Sequence, residues 1–177
     1  MFTLNPADYV TLTSRRKPKY DYWNEICKGL YVGNIQSSKT EWQNMDYIVN
    51  CTKDIDIMPE KLKIIKPQYI RIPVDDSPDE AMNMFNIIQF SKVLDQIHYF
   101  LQQGKKVLVH CYAGQQRSCA LVACYLITYK NMTPEEAVLY MKKRRPVAFY
   151  HGINFLSTIK KQYLQVLANK ESSNIFF

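Results

Sequence analysis

The sequence predicts a single compact α/β domain with a mainly parallel central sheet flanked by helices, and three observations carry that prediction. Short β-branched runs alternate along the chain with longer segments of helical periodicity. The stretches between them hold the Gly, Pro, Asn and Asp that end elements. One run, Val107 to His110, stops at Cys111, and after a short polar loop Arg117 opens an apolar helical segment. At 177 residues the chain has room for one domain with a full core.

Residues 1–22 read as an N-terminal arm or tail. Asn5-Pro6-Ala7-Asp8 can cap a short helix through Leu12, and a basic, proline-containing link follows at Arg15 to Lys19. Such an arm could pack on the domain, or join two copies as a homodimer through residues 1–20. Leu30 to Val32 is a strand stopped at Gly33-Asn34, and Ser37 to Asn44 forms a short helix. Tyr47 to Cys51 is a buried strand by its β-branched content. Beyond a loop broken by Pro59 and Pro67 comes a strand from Tyr69 to Val74, with Pro73 marking its end or an edge. Asp75 to Glu80 is a loop dense in acids.

The apolar spacing from Met84 to Gln103 predicts one helix, stopped by Gly104. The strand Val107 to His110 and a helix from Arg117 to about Lys130 come next. Thr133-Pro134-Glu135-Glu136 is a capping box with Pro at the first helical position, and Pro146 ends the helix it opens. The last helix runs from about Asn154 to Asn169. The expected organisation is therefore a catalytic domain over 23–170 and a C-terminal tail over 171–177. In such sheets a ligand sits beyond the carboxyl ends of the strands. The loops after Val74 and after His110 both lie there.

A formal net charge of +7 is concentrated in residues 15–19 and 142–145. Both clusters read as solvated surface that also attracts anionic, phosphorylated substrates. Neither shows the interleaved aromatics of a nucleic-acid face, so no nucleic-acid partner is expected. Met1 to Val10 has no basic start followed by an apolar run. The longest largely apolar segment, Cys119 to Tyr129, falls short of the roughly 20 residues a bilayer span needs, so no membrane insertion is expected. Five cysteines, at 27, 51, 111, 119 and 124, form an odd set without a CxxC pair. That fits neither a disulfide framework nor a zinc cluster, and points to a reducing, cytoplasmic setting, with the nucleus also open.

The loop from Cys111 to Ser118 is where chemistry is expected. A strand, a tight loop and a helix N-terminus together direct unpaired amides and the helix dipole at one spot, which suits an oxyanion. Those amides, from Tyr112, Ala113, Gly114, Gln115 and Gln116 onward, would cradle a phosphate. Both they and the Arg117 guanidinium have the sign that favours a Cys111 thiolate. Arg117 can hold two phosphoryl oxygens in a fork that lysine cannot reproduce. Ser118 can donate to the sulfur and make it a better leaving group. His110 is expected to brace the loop by hydrogen bonds rather than act as a base. A buried, inert Cys111 is disfavoured by the glycine and arginine that follow it. The alkoxide or phenoxide leaving group needs an acid from a neighbouring loop, and Asp75, Asp76, Asp79 and Glu80 are all candidates. Asp54 and Asp56 read as a solvated loop rather than a metal site.

The pattern His-Cys-x-x-Gly-x-x-Arg-Ser at 110–118 resembles the signature of the cysteine-dependent protein tyrosine phosphatases, and its Ala113-Gly114 pair is similar to the dual-specificity branch. The likeness extends over about residues 24–168, through Asn24-Glu25-Ile26, Leu30 to Asn34, Ile72 to Asp76, Tyr125-Leu126-Ile127 and Thr133 to Ala137. By that resemblance the reaction passes through phosphocysteine without metal or other cofactor, and the second acid of Ile-Pro-Val-Asp-Asp, Asp76, is the general acid and base, with Asp75 as fallback. Phosphorylated proteins, on tyrosine and on serine or threonine, are the implied substrates. The same chemistry on a phosphoinositide or an RNA 5′-triphosphate is the alternative. Lipid-directed members tend to carry Lys inside the loop and RNA-directed ones His-Gly, whereas this loop is uncharged before Arg117.

Two positions depart from the family pattern. Cys119 stands where Gly or Ala is usual, and His151-Gly152-Ile153-Asn154-Phe155 replaces Pro-Asn-x-Gly-Phe. An asparagine that would brace the phosphate loop is therefore shifted or missing. Cys119 and Cys124 read as helix core. A regulatory disulfide to Cys111 is left open for Cys51, Cys119 and Cys124, with Cys51, at a neighbouring strand end, the first partner to test.

Overall fold

The computed structural model describes residues 20–55 and 67–174. The predicted Asn5–Leu12 helix, the basic link at 15–19, and Asp56 and Pro59 lie outside the described residues. Of the expected dimer segment only Tyr20 is described.

Five strands form one sheet in the order β1-β2-β5-β3-β4: β1 is Trp23–Cys27, β2 Leu30–Gly33, β3 Tyr47–Asn50, β4 Gln68–Arg71 and β5 Val107–His110. The pairs β2–β5, β3–β5 and β3–β4 are parallel, and β1 adds an antiparallel edge. The four strands expected from sequence are all present, and β1 is an addition. Only Ile26 of its five residues is buried, so a partly solvated edge strand offers no apolar run to read.

Among the described residues, six α-helices and two 3₁₀ turns surround the sheet. Helix α1, Ile35–Thr40, is capped by Asn34, whose side chain accepts from the Ser37 amide, and a 3₁₀ turn follows at Trp42–Asn44. A second 3₁₀ turn, Pro78–Glu80, leads into α2, Ala81–Ser91, and then α3, Val93–Gln102. The single helix expected over 84–103 is thus two, broken at Lys92, whose φ is +56°. Lysine is a good helix former, so nothing local announces the break. The amide of Gln96 caps it by donating to the Ser91 carbonyl.

Helix α4, Arg117–Lys130, is buried continuously from Arg117 to Ile127. It packs on the sheet, on α5, Pro134–Arg144, and on α6, Leu156–Asn174, which explains why it is apolar all round. The capping box of α5 is formed as the sequence predicts. Helix α6 starts two residues later than expected and runs five residues further.

The sheet's two faces are unequal. Tyr47, Val49, Cys51, Val107, Val109 and Cys111 face the main core with α4 and its neighbours. Ile48 and Leu108 face a small cluster with Met45, Tyr31, Trp42 and Tyr69. The period of two in each strand sorts these residues.

Candidate active site

The site lies where parallel strands end together. Gly33, His110 and Asn50 are in register at the carboxyl ends of β2, β5 and β3, so the loops that follow converge. From the centre of this edge the chain turns through Cys111–Gln116 into α4.

The direction of the loop's peptide groups can be read from its carbonyls. The Tyr112 carbonyl accepts from the Ile35 amide, that of Ala113 from the Tyr20 hydroxyl, and that of Gly114 from Arg145 Nε at 2.6 Å and Cys119 Sγ at 3.4 Å. The Gln115 carbonyl accepts from the Phe149 amide and the Gln116 carbonyl from Ala120, which starts the helix. Four successive carbonyls, of Tyr112 to Gln115, are held from outside, and that of Gln116 by the helix that follows. In a trans peptide the next N–H points the opposite way, so the amides of Ala113 to Arg117 turn inward. The Gly114 amide does so on to Cys111 Sγ, at 3.2 Å.

Gly114 has φ +65°, and a Cβ there would come within 2.6 Å of both the Gly33 carbonyl oxygen and Arg145 Nη2. The turn therefore requires glycine on two counts. Gly33 is as constrained, since a Cβ on it would meet Ser37 Oγ at 2.0 Å.

Cys111 is fully buried at the loop's floor, with its sulfur 3.3 Å from Ser118 Oγ. Arg117, almost wholly buried, donates from Nη1 to the Val74 carbonyl at 3.1 Å. Its Nε lies 3.8 Å from Asp76 Oδ2. The loop after β4 thus meets the phosphate loop through both backbone and carboxylate. Asp75 points elsewhere, forming a 2.7 Å ion pair with Lys53 on the exposed side. Of the adjacent acids, Asp76 is the one brought to Arg117.

The remaining predicted residues divide. Tyr112 stands exposed on the rim, and Ala113 and Gln115 are half-buried. The Gln116 side chain faces away from the cradle: its Nε2 donates to the Gly152 carbonyl at 2.7 Å and its Oε1 accepts from the Asn154 amide at 3.1 Å. Only its backbone can serve the cradle. In the segment that departs from the family pattern, Asn154 donates from Nδ2 to Asp76 Oδ1 at 3.0 Å, and its backbone amide is tied to the phosphate loop by the Gln116 side chain.

His110 is fully buried, and its ring nitrogens lack well-formed partners among the described residues, so the bracing hydrogen bonds expected from the sequence are not formed. Burial pushes its pKa down to about 4, against a small opposing pull from the Cys111 backbone, so the ring is neutral near pH 7. All five cysteines are free thiols. Burial raises Cys51 well above its ordinary value and Cys119 to about 12, and it raises Cys124 as well. Cys51 follows the Asn50–His110 pair in register and faces the same core as Cys111.

Sequence reasoning missed the loop's outer supports. Arg145, placed with the surface cluster 142–145, is fully buried; besides Gly114 it donates from Nη1 to Asn24 Oδ1 at 2.6 Å and to the Asp21 carbonyl at 3.3 Å. A signal existed: Ala137, Val138 and Met141 define the inner stripe of α5, and 145 is the next position on it. Tyr20 was placed in the arm. Its hydroxyl receives the Asn34 amide at 2.7 Å while donating to Ala113, and no spacing rule indicates that contact. Among the described residues no three or more His, Cys, Asp or Glu group as a metal site, and no helix is long and apolar enough to cross a membrane.

Comparison with known proteins places this geometry. The family described as dual specificity phosphatase, catalytic domain, matches residues 30–165. The chain is 32% identical over 138 residues to tyrosine-protein phosphatase yvh1 of Schizosaccharomyces pombe, covering 77% of this chain but 40% of that protein. It is also 32% identical over 130 residues to the putative tyrosine phosphatase 123R of Invertebrate iridescent virus 6, covering 71% of this chain and 81% of that one. Among solved structures, the human tyrosine phosphatase-like serine/threonine/tyrosine-interacting protein superposes with a TM-score of 0.70 at 25% identity, over 82% of this chain and 97% of that one. The chain belongs to the dual specificity phosphatase family, within the cysteine-dependent protein tyrosine phosphatases.

Proposed function

We propose that the chain is a protein phosphatase that hydrolyses phosphotyrosine and phosphoserine or phosphothreonine monoesters through a phosphocysteine intermediate. One observation carries the reading: the Gly114 amide reaches the Cys111 sulfur in a loop whose carbonyls are held outward, and Arg117, at the end of that loop, has Asp76 3.8 Å from its Nε. Cys111 attacks phosphorus, an S–P bond forms as the ester P–O bond breaks, and Asp76 gives its proton to the departing oxygen. The amides and Arg117 take the charge that grows on the phosphoryl oxygens. Water then attacks the phosphocysteine, Asp76 receives its proton, and the electron pair of the S–P bond returns to sulfur. Ser118, 3.3 Å away, donates to that sulfur as it leaves.

Several features support a protein substrate and a reducing setting. The loop's side chains before Arg117 are uncharged, which suits a phosphorylated side chain better than the polyanionic head of an inositol lipid or an RNA triphosphate. Five free thiols suit the cytoplasm.

The test is a set of three substitutions assayed on aryl phosphates and phosphopeptides. Cys111→Ser abolishes turnover and keeps phosphopeptide binding. Asp76→Ala lowers turnover about 10²–10⁴-fold for leaving groups of high pKa and far less for good ones. Asp75→Ala changes little, and the reverse order would transfer the acid role to Asp75. Turnover persists in EDTA. Faster hydrolysis of an inositol phospholipid or an RNA 5′-triphosphate than of both phosphopeptides would overturn the protein reading.

A further inference from the structure

We infer that Asn154 is a positioning residue for the general acid, and that it fixes which oxygen of Asp76 carries the proton. The inference rests on the reading of Asp76 as that acid. Asp76 lies on an open loop, its side chain about a third exposed. Two groups orient the carboxyl: Arg117 Nε, 3.8 Å from Oδ2, and Asn154 Nδ2, donating to Oδ1 at 3.0 Å. The carbonyl oxygen of a carboxylic acid is a better acceptor than its hydroxyl oxygen, so the 3.0 Å bond from Asn154 favours Oδ1 as the bare oxygen of the acid form, Arg117 Nε at 3.8 Å lying beyond hydrogen-bond reach of Oδ2. The proton then sits on Oδ2, the oxygen turned toward Arg117 and the phosphoryl site. In the second step that same oxygen is free to receive the proton of water.

Asn154 can do this because it is itself held. Its backbone amide donates to Gln116 Oε1, Gln116 Nε2 holds Gly152 from the same side, and the next residue, Phe155, is fully buried. The acid is thereby tied to the phosphate loop through Gln116 and Asn154, although Asp76 and Asn154 are 78 positions apart in the chain. The departure of His151–Phe155 from the family pattern acquires a purpose. An asparagine directly before Phe155 reaches the acid loop, while Gln116 takes over the bracing of the phosphate loop.

A double-mutant cycle over a series of aryl phosphates tests this. Asn154→Ala is expected to lower kcat about tenfold for phenols of high pKa, the factor corresponding to one hydrogen bond, and to leave good leaving groups unaffected. Asn154→Asp, nearly the same size, replaces the donor with a like charge and should slow the same substrates at least as much. In the Asp76→Ala background, Asn154→Ala should cost nothing further. Equal slowing of all substrates by Asn154→Ala, multiplicative losses in the double variant, or wild-type rates in Asn154→Asp would each overturn the inference. If Asp76→Ala itself shows no leaving-group dependence, it is the acid assignment that fails, and the two failures are distinguishable.

Discussion

The two sides of the Cys111–Gln116 loop are built on opposite plans. The inner side uses backbone amides and residues close in sequence: Cys111, Arg117 and Ser118, joined by Asp76 from the next loop. The outer side draws on Tyr20, the Ile35 amide, Arg145 and the Phe149 amide, from segments before β1, after β2 and beyond α5. Each outer group takes one carbonyl, and each captured carbonyl turns one amide inward. Chemistry is thus local in sequence, and the orientation that makes it work is not. Substitution on the inner side should change rate at constant stability, while substitution outside should change stability first.

The largest effect is expected from Arg117→Lys. Charge is retained, but the planar fork that spans two phosphoryl oxygens is lost, and the reach to the Val74 carbonyl changes. A fall in kcat/KM of about 10³-fold is expected, within the range for a guanidinium that stabilises a phosphoryl transition state. The thermal midpoint should stay near wild type. A variant retaining a tenth of the activity would mean that charge alone is needed on the inner side.

Arg145→Met sharpens the contrast from outside. The methionine fills similar space, but the buried Gly114 carbonyl is left with only the weak Cys119 thiol donor, and the part-buried Asn24 Oδ1 loses its guanidinium partner. An unsatisfied buried polar group costs about 1–3 kcal/mol, so a loss of roughly 1–3 kcal/mol is expected from chemical denaturation. Activity should fall with it, as the Gly114–Gln115 peptide is released to turn the Gln115 amide away from the phosphate site. A variant with full stability and a large fall in kcat would move Arg145 to the chemical side and break the comparison.

The same contrast decides what could be read from sequence. Strands β3 and β5 and helix α4 announce themselves because burial on every side leaves unbroken apolar runs, and the signature at 110–118 because a nucleophile, a positive-φ turn and a clamp fall within one loop. Asp76 could be narrowed only to one of several acids, and the Lys53–Asp75 pair that separates it from its neighbour joins residues 22 apart. Edge strand β1 lacks an apolar run, and the break at Lys92 lacks a breaker. Arg145 and Asn154 were visible as residues but not as contacts. A basic run resembles solvent-facing surface until the helix that ends in it is given a buried face, and a displaced asparagine resembles a loss until its new partner is in place.

The smallest effect is expected at the outer edge, from Tyr20→Phe. One hydroxyl bridges Asn34 Nδ2 and the Ala113 carbonyl, at 2.7 and 3.0 Å, and nothing else is removed. Tyr20 is 42% exposed, so water can replace both bonds, and a loss of about 0.5–1 kcal/mol in denaturation is expected with kcat within twofold. A larger fall in kcat, about fivefold or more at unchanged stability, would carry a specific meaning. The Ala113–Gly114 peptide would then owe its orientation to Tyr20, because the carbonyl that hydroxyl holds belongs to the same peptide as the N–H that reaches the Cys111 sulfur. The segment before β1 would in that case belong with the inner side of the loop, as part of what orients the nucleophile.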